Sequence, residues 1–334
     1  MAVPPQARTV SDVGEAGTIA AIRAAAPSAL NGDDAAVLAA AAPNARQVCT
    51  TDILVEGQHF SLDWSTPGEV GTKAVTQNFA DIQAMGARPT AVLMSLAVPG
   101  ETPVDVVRGI ARGIGTAASP WAAELVGGDV VRSTQLIISL TALGVLAGPD
   151  PALTIDGAAP GHTVIASGPL GHSAAGLALL RHFGRRDRVP DDDILQRLVQ
   201  WHCAPTLTVG RGSVARATGA SSMTDNSDGL IRDVTTLAER SGVIIDLDST
   251  AIEPDADLRH AAEVLDVDPW TWVLGGGEDH TLIGTTAFQP SAGYRTIGRA
   301  LRVPDTDPNV DDGVEQHVLV DGAVPAVTTG WSSL

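Results

Sequence analysis

The chain has 334 residues, 44% of them hydrophobic, which is typical of a soluble globular protein with two domains of ordinary size. Its 39 acidic and 21 basic residues give a formal net charge of −18, which argues against nucleic acid or an anionic membrane surface as a partner and favours cations. No apolar segment is long enough to span a membrane, only two cysteines occur and the N-terminus lacks signal-peptide features, so we expect a cytoplasmic protein.

Helices and strands alternate through the first half of the chain. Periodic apolar positions separated by turn residues divide this half into segments. The predicted helices span residues 66–85 and 103–118, with a shorter one within residues 1–30, and the predicted strands span residues 47–55, 91–98 and 135–146, with another leading into residues 127–129.

One of these helices carries signals for both of its ends. Thr66 is placed as the N-cap, and Glu69 follows three positions later, as in a capping box. Pro67 suits the first helical position, and Gly86 suits the C-terminal cap. Asp81 lies near the end of this helix, so we expect its carboxylate to be held on a rigid element.

Around residues 148–160 glycine and proline become frequent and the periodicity is lost, which predicts a boundary between domains of residues 1–150 and 151–334. The second half contains a predicted helix from Ser173, two further helices and one that ends at Arg240 with Gly242 as its cap. Its predicted strands span residues 163–167, 222–224 and 243–247, a glycine loop at residues 275–279 interrupts another strand region, and short strands follow residue 294.

Carboxylates recur where the chain is expected to turn. Hard divalent cations are bound by oxygen, and Mg²⁺ is usually held by one or two carboxylates together with water and substrate phosphates. Any one of these acids is also explained as a turn residue or a helix cap, so their spacing predicts a metal-dependent enzyme without showing that they converge. The acids are Asp33, Asp34, Asp52, Asp81, Asp129, Asp225, Asp228, Glu278 and Asp279.

Common catalytic motifs are absent from the sequence. It contains no GxxxxGK[ST] loop for phosphate, no dinucleotide-binding glycine pattern, no GxSxG or HExxH motif and no CxxC pair. Standard nucleotide folds, serine hydrolases, zinc proteases and thioredoxin-like proteins are therefore disfavoured.

Eight segments of the sequence resemble thiamine-monophosphate kinases. They are GDDAAVL (32–38), TTDILVEGQHF (50–60), KAVTQNFADIQAMGARP (73–89), GGD (127–129), SGPLGHSAAGLALL (167–180), DNSDGLIRD (225–233), GGGEDH (275–280) and GW (330–331). The resemblance covers nearly the whole chain. It implies a two-domain α+β fold like that of aminoimidazole ribonucleotide synthetase, with an N-terminal sheet domain that binds ATP and metal and forms a homodimer, and a C-terminal α/β sandwich domain that completes the nucleotide and substrate site.

The same resemblance implies transfer of the γ-phosphoryl group of ATP to thiamine monophosphate, which gives thiamine diphosphate in the final step of its biosynthesis. Several Mg²⁺ ions would be required, with ATP as co-substrate. By match to the family's motifs, the metal ligands are Asp34, Thr50, Thr51, Asp52, Asp81, Asp129, Asp225 and Asp228, of which Asp81, Asp225 and Asp228 are also catalytic. The ATP-binding residues are Gly128, Asp129 and Ser227, and the thiamine monophosphate contacts are His59, Glu278 and Trp331.

The chain departs from the family pattern at a few positions. Ile155 stands where the family usually has an arginine that helps to hold ATP, which predicts weaker ATP binding, and His162 replaces a frequent acidic residue. Asn226 replaces the usual apolar residue of the Asp-x-Ser-Asp-Gly motif, and the chain ends Trp-Ser-Ser-Leu where an aromatic residue commonly closes the family's sequences.

Other functions remain open from the sequence. An aminoimidazole ribonucleotide synthetase shares the implied fold, and a sensor of nucleotide or thiamine phosphates would bind the same ligands without turnover. A magnesium-dependent phosphatase would release phosphate from thiamine monophosphate without ATP. Selenophosphate synthetase and the hydrogenase-maturation dehydratase are disfavoured because the cysteines that they need near the N-terminus and the C-terminus are absent.

Overall fold

The structure is a computed structural model that describes residues 8–28, 43–304 and 317–327. Contacts divide these residues into two compact units: the first holds the residues up to Ile82 and Arg88–Pro149, and the second holds Gln83–Ala87 and the residues from Asp150 onward. The roles predicted for the two domains are not tested by this division. Asp34 and Trp331 lie outside the described residues, so their assignments stay predictions.

In the described residues, the first unit is built on a four-stranded sheet. The strand order is β1-β4-β2-β3, with β2 and β3 parallel and the other neighbours antiparallel. The elements are α1 (Val10–Ala25), β1 (Arg46–Val55), α2 (Pro67–Ala84), β2 (Arg88–Val98), α3 (Val104–Ala118), β3 (Glu124–Arg132) and β4 (Ile137–Leu146).

One face of this sheet is covered and the other is exposed. Along β4 buried and half-buried residues alternate, as expected for a strand with one face in the core. Ile82 of α2 packs against Gly144 on the covered face. On the other face Ile53, Leu93 and Val131 remain 51%, 37% and 52% exposed. The first unit is therefore a helix layer on a sheet whose far side presents apolar side chains.

The predicted ends of α2 are confirmed. The Thr66 amide donates to Glu69 Oε2 at 2.7 Å and the Glu69 amide donates to Thr66 Oγ1 at 3.3 Å, which is the reciprocal pair of a capping box. At the other end Gly86 has φ of +73°, a conformation that favours glycine, and its amide donates to the Gln83 carbonyl at 2.8 Å.

The second unit contains a six-stranded sheet in the described residues. Its order is β10-β7-β9-β5-β8-β6, with β10 and β7 parallel and the other neighbours antiparallel. The elements are β5 (Thr163–Ser167), α4 (His172–Phe183), α5 (Asp193–Cys203), α6 (Arg211–Ala217), β6 (Ala220–Asp225), α7 (Leu230–Ser241), β7 (Val243–Leu247), α8 (Ala256–Leu265), α9 (Trp270–Gly275), β8 (Leu282–Thr286), β9 (Arg295–Arg302) and β10 (Val318–Val320).

The α+β class and the two sheets are confirmed, and three details of the sequence prediction are wrong. The glycine loop follows the helix α9 and does not interrupt a strand, because six residues are too few to show a helical period. The strand β3 continues past residues 127–129 to Arg132, since its pairing with β2 holds the glycines in the ladder. The helix α8, capped by Asp255, was not predicted. Among the helices of the described ranges, none is both long and apolar enough to cross a membrane.

Candidate active site

Three of the predicted metal ligands lie together on the first unit's elements β1 and α2. Thr50 Oγ1 donates a hydrogen bond of 2.6 Å to Asp81 Oδ2. Asp52 lies two residues after Thr50, so both side chains point to the same face of β1, and both are half-buried. This face of β1 therefore supplies a hydroxyl and a carboxylate, and Asp81 of α2 supplies a second carboxylate beside Thr50.

Thr51 lies on the opposite face of β1. Its Oγ1 donates to the Leu140 carbonyl at 3.0 Å and accepts from Thr141 Oγ1 at 3.1 Å. These bonds hold its hydroxyl within the exposed face of the sheet. The side chains of Thr50 and Thr51, both predicted as ligands, are thus separated by the sheet.

Gly128 and Asp129 lie on β3, an edge strand of the first sheet. Gly128 has φ of +154°, and a Cβ atom there would lie 1.9 Å from the Met94 carbonyl oxygen, so a side chain is excluded. The Asp129 carboxylate accepts from the Val130 amide at 2.9 Å and is exposed. Because β1 is the other edge of this sheet, Asp129 is separated from Asp52 by two strands, roughly 14 Å.

His59 lies in a turn after β1 that is held from two sides. The Val55 amide donates to His59 Nδ1 at 3.1 Å, and the buried Lys73 donates from Nζ to the His59 carbonyl at 3.1 Å. An Nδ1 that accepts a hydrogen bond carries no proton, so the proton of the neutral ring lies on Nε2. His59 is thereby prepared to donate a hydrogen bond to an anion.

The remaining predicted residues lie on two loops of the second unit. The aspartate loop, residues 225–229, leads from β6 to α7, and the glycine loop, residues 276–281, leads from α9 to β8. A Cβ atom on Gly277 would lie 2.2 Å from the Ser227 carbonyl oxygen, so glycine permits the close approach of the loops. Backbone hydrogen bonds join them: Asn226 N to Thr281 O at 2.8 Å, His280 N to Asn226 O at 3.0 Å and Glu278 N to Ser227 O at 2.9 Å.

Asp225 and Asp228 are both in the aspartate loop, but their surroundings differ. Asp225 is buried, and its Oδ2 lies 2.9 Å from Nδ1 of the buried His280. Asp228 is more exposed, and its Oδ2 lies 3.4 Å from Nε of Arg232. Burial raises the pKa of Asp228, Arg232 opposes the increase, and the charge of Asp225 adds to it. The two carboxylates therefore repel each other, and a cation would relieve that repulsion.

Asp233 is an acid of this site that the sequence analysis did not single out. Its Oδ2 accepts hydrogen bonds from the amides of Asp228 and Gly229, at 3.1 Å and 3.0 Å. Burial raises the pKa of Asp233 to about 8, and the charges of Asp225 and Asp228 contribute to the increase. In the sequence Asp233 is the last residue of the motif DNSDGLIRD, but an acidic residue in the first turn of a helix such as α7 is common and does not by itself indicate a site.

Asn226 has a structural role that accounts for its departure from the family pattern. The side chain is fully buried, and in the amide orientation that satisfies both polar atoms Nδ2 donates to the Gly276 carbonyl at 3.2 Å. In the same orientation Oδ1 accepts from the Leu230 amide, the first of α7, at 2.9 Å. Asn226 therefore caps α7 and joins the two loops.

Glu278 lines a cavity of about 480 Å³ within the second unit. Its backbone has φ of +63°, an uncommon conformation for a residue other than glycine, which is often found at functional sites. The walls are Ser173, Ala174, Leu177, Ala178 and Arg181 of α4, Thr271, Trp272 and Gly275 of α9, Gly276, Gly277 and Glu278, and Val327. A larger cavity of about 630 Å³ in the first unit is lined by residues of α1 and α3 and by none of the predicted site residues.

Within residues 8–28, 43–304 and 317–327, no group of three or more histidines, cysteines, aspartates or glutamates is arranged to hold a metal ion. The predicted ligands are distributed over the two units, and Asp34 is outside these ranges. Their donor atoms are all oxygen, and their net charge is negative, which suits a hard cation such as Mg²⁺ and not zinc.

The fold and these acidic turns place the chain in the AIR synthase class of α+β proteins. A family model described as AIR synthase related protein, N-terminal domain, matches residues 32–146. Thiamine-monophosphate kinase of Corynebacterium glutamicum is 53% identical over 325 residues, which cover 97% of this chain and 95% of the relative. The chain belongs to the thiamine-monophosphate kinase family.

Two further relatives agree with this assignment. Thiamine-monophosphate kinase of Mycobacterium tuberculosis is 43% identical over 303 residues, which cover 90% of this chain and 84% of the relative. The Aquifex aeolicus enzyme, in the structure of AaThiL complexed with AMPPCP and TMP, is 30% identical with a TM-score of 0.75 and covers 97% of this chain and 98% of its own.

Proposed function

We propose that this protein transfers the γ-phosphoryl group of ATP to the phosphate of thiamine monophosphate and so forms thiamine diphosphate and ADP. The observation that carries the proposal is similarity over nearly the whole chain to thiamine-monophosphate kinases, one of which binds AMPPCP and TMP together. An ATP analogue and the acceptor in one complex are what direct transfer requires, since donor and acceptor phosphates must be held side by side.

The chain's own residues would act chiefly by positioning and by neutralising charge. The acceptor phosphate is ionised at neutral pH, so no strong general base is needed, but two anions must be brought together. In the proposal Mg²⁺ ions supply the positive charge that offsets this repulsion and the charge on the transferred group. The proposed ligands are Asp34, Thr50, Asp52, Asp81, Asp129, Asp225 and Asp228, with Asp81, Asp225 and Asp228 essential for the reaction. Thr51 would join them through its backbone carbonyl, because its hydroxyl lies on the opposite face of β1.

The remaining proposed residues each bind one of the two substrates. Gly128, Asp129 and Ser227 are proposed to bind ATP because they match the family's motifs, and glycine at position 128 is required by the close approach of the Met94 carbonyl of β2. His59 would donate from Nε2 to the phosphate of thiamine monophosphate. Glu278 and Trp331 would contact its organic part, a cationic thiazolium joined to an aminopyrimidine, for which a carboxylate and an aromatic ring are suitable partners.

We further propose that the first unit forms a homodimer through the exposed face of its sheet. Support comes from the exposed apolar side chains of Ile53, Leu93 and Val131, which lie on three strands of that face, because apolar residues exposed together on one surface mark a candidate interaction site. In this proposal the first domain binds ATP and metal, the second completes the substrate site, and the enzyme acts in the cytoplasm, where ATP is available.

The test is an assay of the purified protein with ATP, Mg²⁺ and thiamine monophosphate, in which ADP and thiamine diphosphate are separated by chromatography. Equal amounts of both products, formed only with Mg²⁺, are expected. Binding of both ligands without products would identify a sensor, and phosphate release without ATP would identify a phosphatase. Asp225→Asn serves as the inactive control, and Asp266→Asn, on the surface after α8, as the active one.

A further inference from the structure

His202 is a buried polar residue to which the proposed reaction assigns no role. It lies near the end of α5 and is 4% exposed. Its Nδ1 atom lies 3.0 Å from Ser173 Oγ and 3.6 Å from Glu278 Oε2. One ring nitrogen therefore faces both a hydroxyl and the carboxylate that lines the cavity of the second unit.

The packing of α4 on α5 fixes the position of this ring. A Cβ atom on Gly176 would lie 2.1 Å from the Leu198 carbonyl oxygen and 2.9 Å from Cβ of His202. Glycine at this position therefore lets the two helices approach closely, and the ring is placed beside the first turn of α4. The neighbouring Cys203 is fully buried, so the end of α5 has no room to move the ring away.

Hydrogen bonds hold the chain at Glu278 and at the residue that follows it. Its backbone is held by the hydrogen bond from its amide to Ser227. The next residue, Asp279, is completely buried and accepts from the amides of Gly171 and Ser173 at 2.5 Å and 2.7 Å. These bonds fix the chain around position 278, and the Glu278 carboxylate lies within 3.6 Å of His202 Nδ1.

We propose that His202 is a positioning residue: together with the Ser173 hydroxyl, its Nδ1 atom holds the Glu278 carboxylate in the orientation that receives the cationic organic part of thiamine monophosphate. The inference rests on the proposed function. A buried imidazole needs a polar partner, and a carboxylate that must bind a flat cation gains when its rotamer is set before the ligand arrives. Loss of this contact should therefore weaken the binding of thiamine monophosphate and leave the binding of ATP unchanged.

The experiment compares three substitutions of known chemistry. His202→Leu keeps the approximate volume and removes the polar atoms, and we expect the KM for thiamine monophosphate to rise about tenfold, with the KM for ATP unchanged. His202→Asn places an amide near the position of Nδ1, and it should restore the KM to within about threefold of wild type. His182→Leu, an exposed histidine on α4, is the matched control and should change neither KM.

A double-variant cycle shows whether His202 acts through Glu278. If it does, His202→Leu added to Glu278→Gln raises the KM for thiamine monophosphate no further than Glu278→Gln alone. Independent additive effects would overturn the proposal, as would an unchanged KM in a folded His202→Leu variant, equal losses in the Leu and Asn variants, or equal increases for both substrates. Ser173→Ala, which keeps the backbone bond to Asp279, takes the place of His202→Leu if the latter does not fold.

Failure of the proposed function would be seen separately, as absence of thiamine diphosphate from the wild-type reaction. Calorimetric titration of wild type and His202→Asn and His202→Leu with thiamine monophosphate then decides the role of His202. Weaker binding of thiamine monophosphate by His202→Leu, with binding restored in His202→Asn, supports the proposed role. Equal affinities, or no binding to wild type, overturn it.

Discussion

Nδ1 of His280 lies 2.9 Å from Oδ2 of Asp225, and these side chains, 55 positions apart in the sequence, are only 5% and 6% exposed. The imidazole sets the orientation of a predicted metal ligand and provides a partner for a carboxylate that would otherwise be buried alone. A group that hydrogen-bonds to a metal ligand in this way changes the affinity of the site for the metal.

His280→Leu should reduce the free energy of unfolding by about 3 kcal/mol in metal-free buffer, because it leaves Asp225 buried without the ring. Urea denaturation measures the change. The double variant with Asp225→Leu should recover part of the loss, since no uncompensated charge remains. His260→Leu, which removes a histidine 3.1 Å from Asp192 at a partly exposed position, is the control and should cost less than about 1 kcal/mol. Equal losses at the two histidines would contradict the argument.

Asp81→Asn should lower kcat at least about a hundredfold, because a carboxylate proposed both as metal ligand and as catalytic residue is lost while the hydrogen bond from Thr50 can persist. Steady-state rates over a range of Mg²⁺ concentrations measure this. Thr50→Val keeps the Asp81 carboxylate and removes the hydroxyl that donates to it and is itself a proposed ligand, so it should raise the Mg²⁺ requirement by about tenfold. Ordinary turnover and magnesium dependence in Asp81→Asn would remove Asp81 from the catalytic set.

Ile155→Arg should lower the KM for ATP several-fold and leave the KM for thiamine monophosphate unchanged. The residue is half-buried in a turn whose backbone is held by a hydrogen bond of 3.2 Å from Ser241 Oγ to the Ile155 carbonyl. A guanidinium there would add a charge-assisted contact to phosphate. Ile155→Leu is the control for a change of shape. The same KM for ATP in the arginine variant as in wild type would show that this position does not limit ATP binding.

The pair of His172 and Asp255, 2.7 Å apart, should make stability depend on pH. Burial lowers the pKa of His172, but the hydrogen bond and charge of Asp255, together with the charges of Asp279 and Asp257, outweigh it and raise the pKa above its ordinary 6.5. For Asp255, burial raises the pKa, and the hydrogen bond from His172 with the Leu258 amide brings it below 3.8.

The stabilisation by His172 is therefore complete below pH 6.5 and is lost as the pH rises through its folded pKa, and that by Asp255 is present above pH 3.8 and is lost on acidification. The coupling free energy from a cycle of His172→Gln and Asp255→Asn should be largest near pH 5, at about 0.5 kcal/mol, and should fall towards pH 8. A coupling that does not change between these pH values would exclude the pair as its source.

Leu93→Asp should convert the proposed dimer to monomers, because it places a charge in the apolar face of the first sheet. Sedimentation velocity measures the change in mass. Val267→Asp, at a 45% exposed position of the second unit, adds the same charge elsewhere and should leave the mass unchanged. A monomeric wild type, or a dimeric Leu93→Asp variant, would require another arrangement.

The parts of the fold that were predicted from sequence are those that depend on local rules. The capping box of Thr66 and Glu69 and the glycine at position 86 define α2 within a few neighbouring residues, and the alternation of residues 243–247 defines β7. The contact of Asp225 with His280 has no such signal, because pairing across 55 positions depends on the packed sheet. The uncommon backbone conformation of Glu278 is likewise imposed by tertiary contacts.

The candidate site was predicted by residue type and family resemblance, and the structure adds the groups behind those residues. In the sequence Asn226 is only a departure from the family's Asp-x-Ser-Asp-Gly motif, but in the structure its amide caps α7 and joins the two loops. His202 and Asp233 looked like ordinary members of helices, because nothing in their own segments indicates which residue from another segment lies beside them.

Glu278 joins the glycine loop to the aspartate loop through its backbone amide, so its side chain can change while the alignment of the two loops persists. The backbone contacts that align the loops are therefore independent of the side chain that lines the cavity. A descendant of this chain could carry another residue at position 278 and so present a different group to the same cavity. Asp225 and Asp228 of the aspartate loop would stay in place.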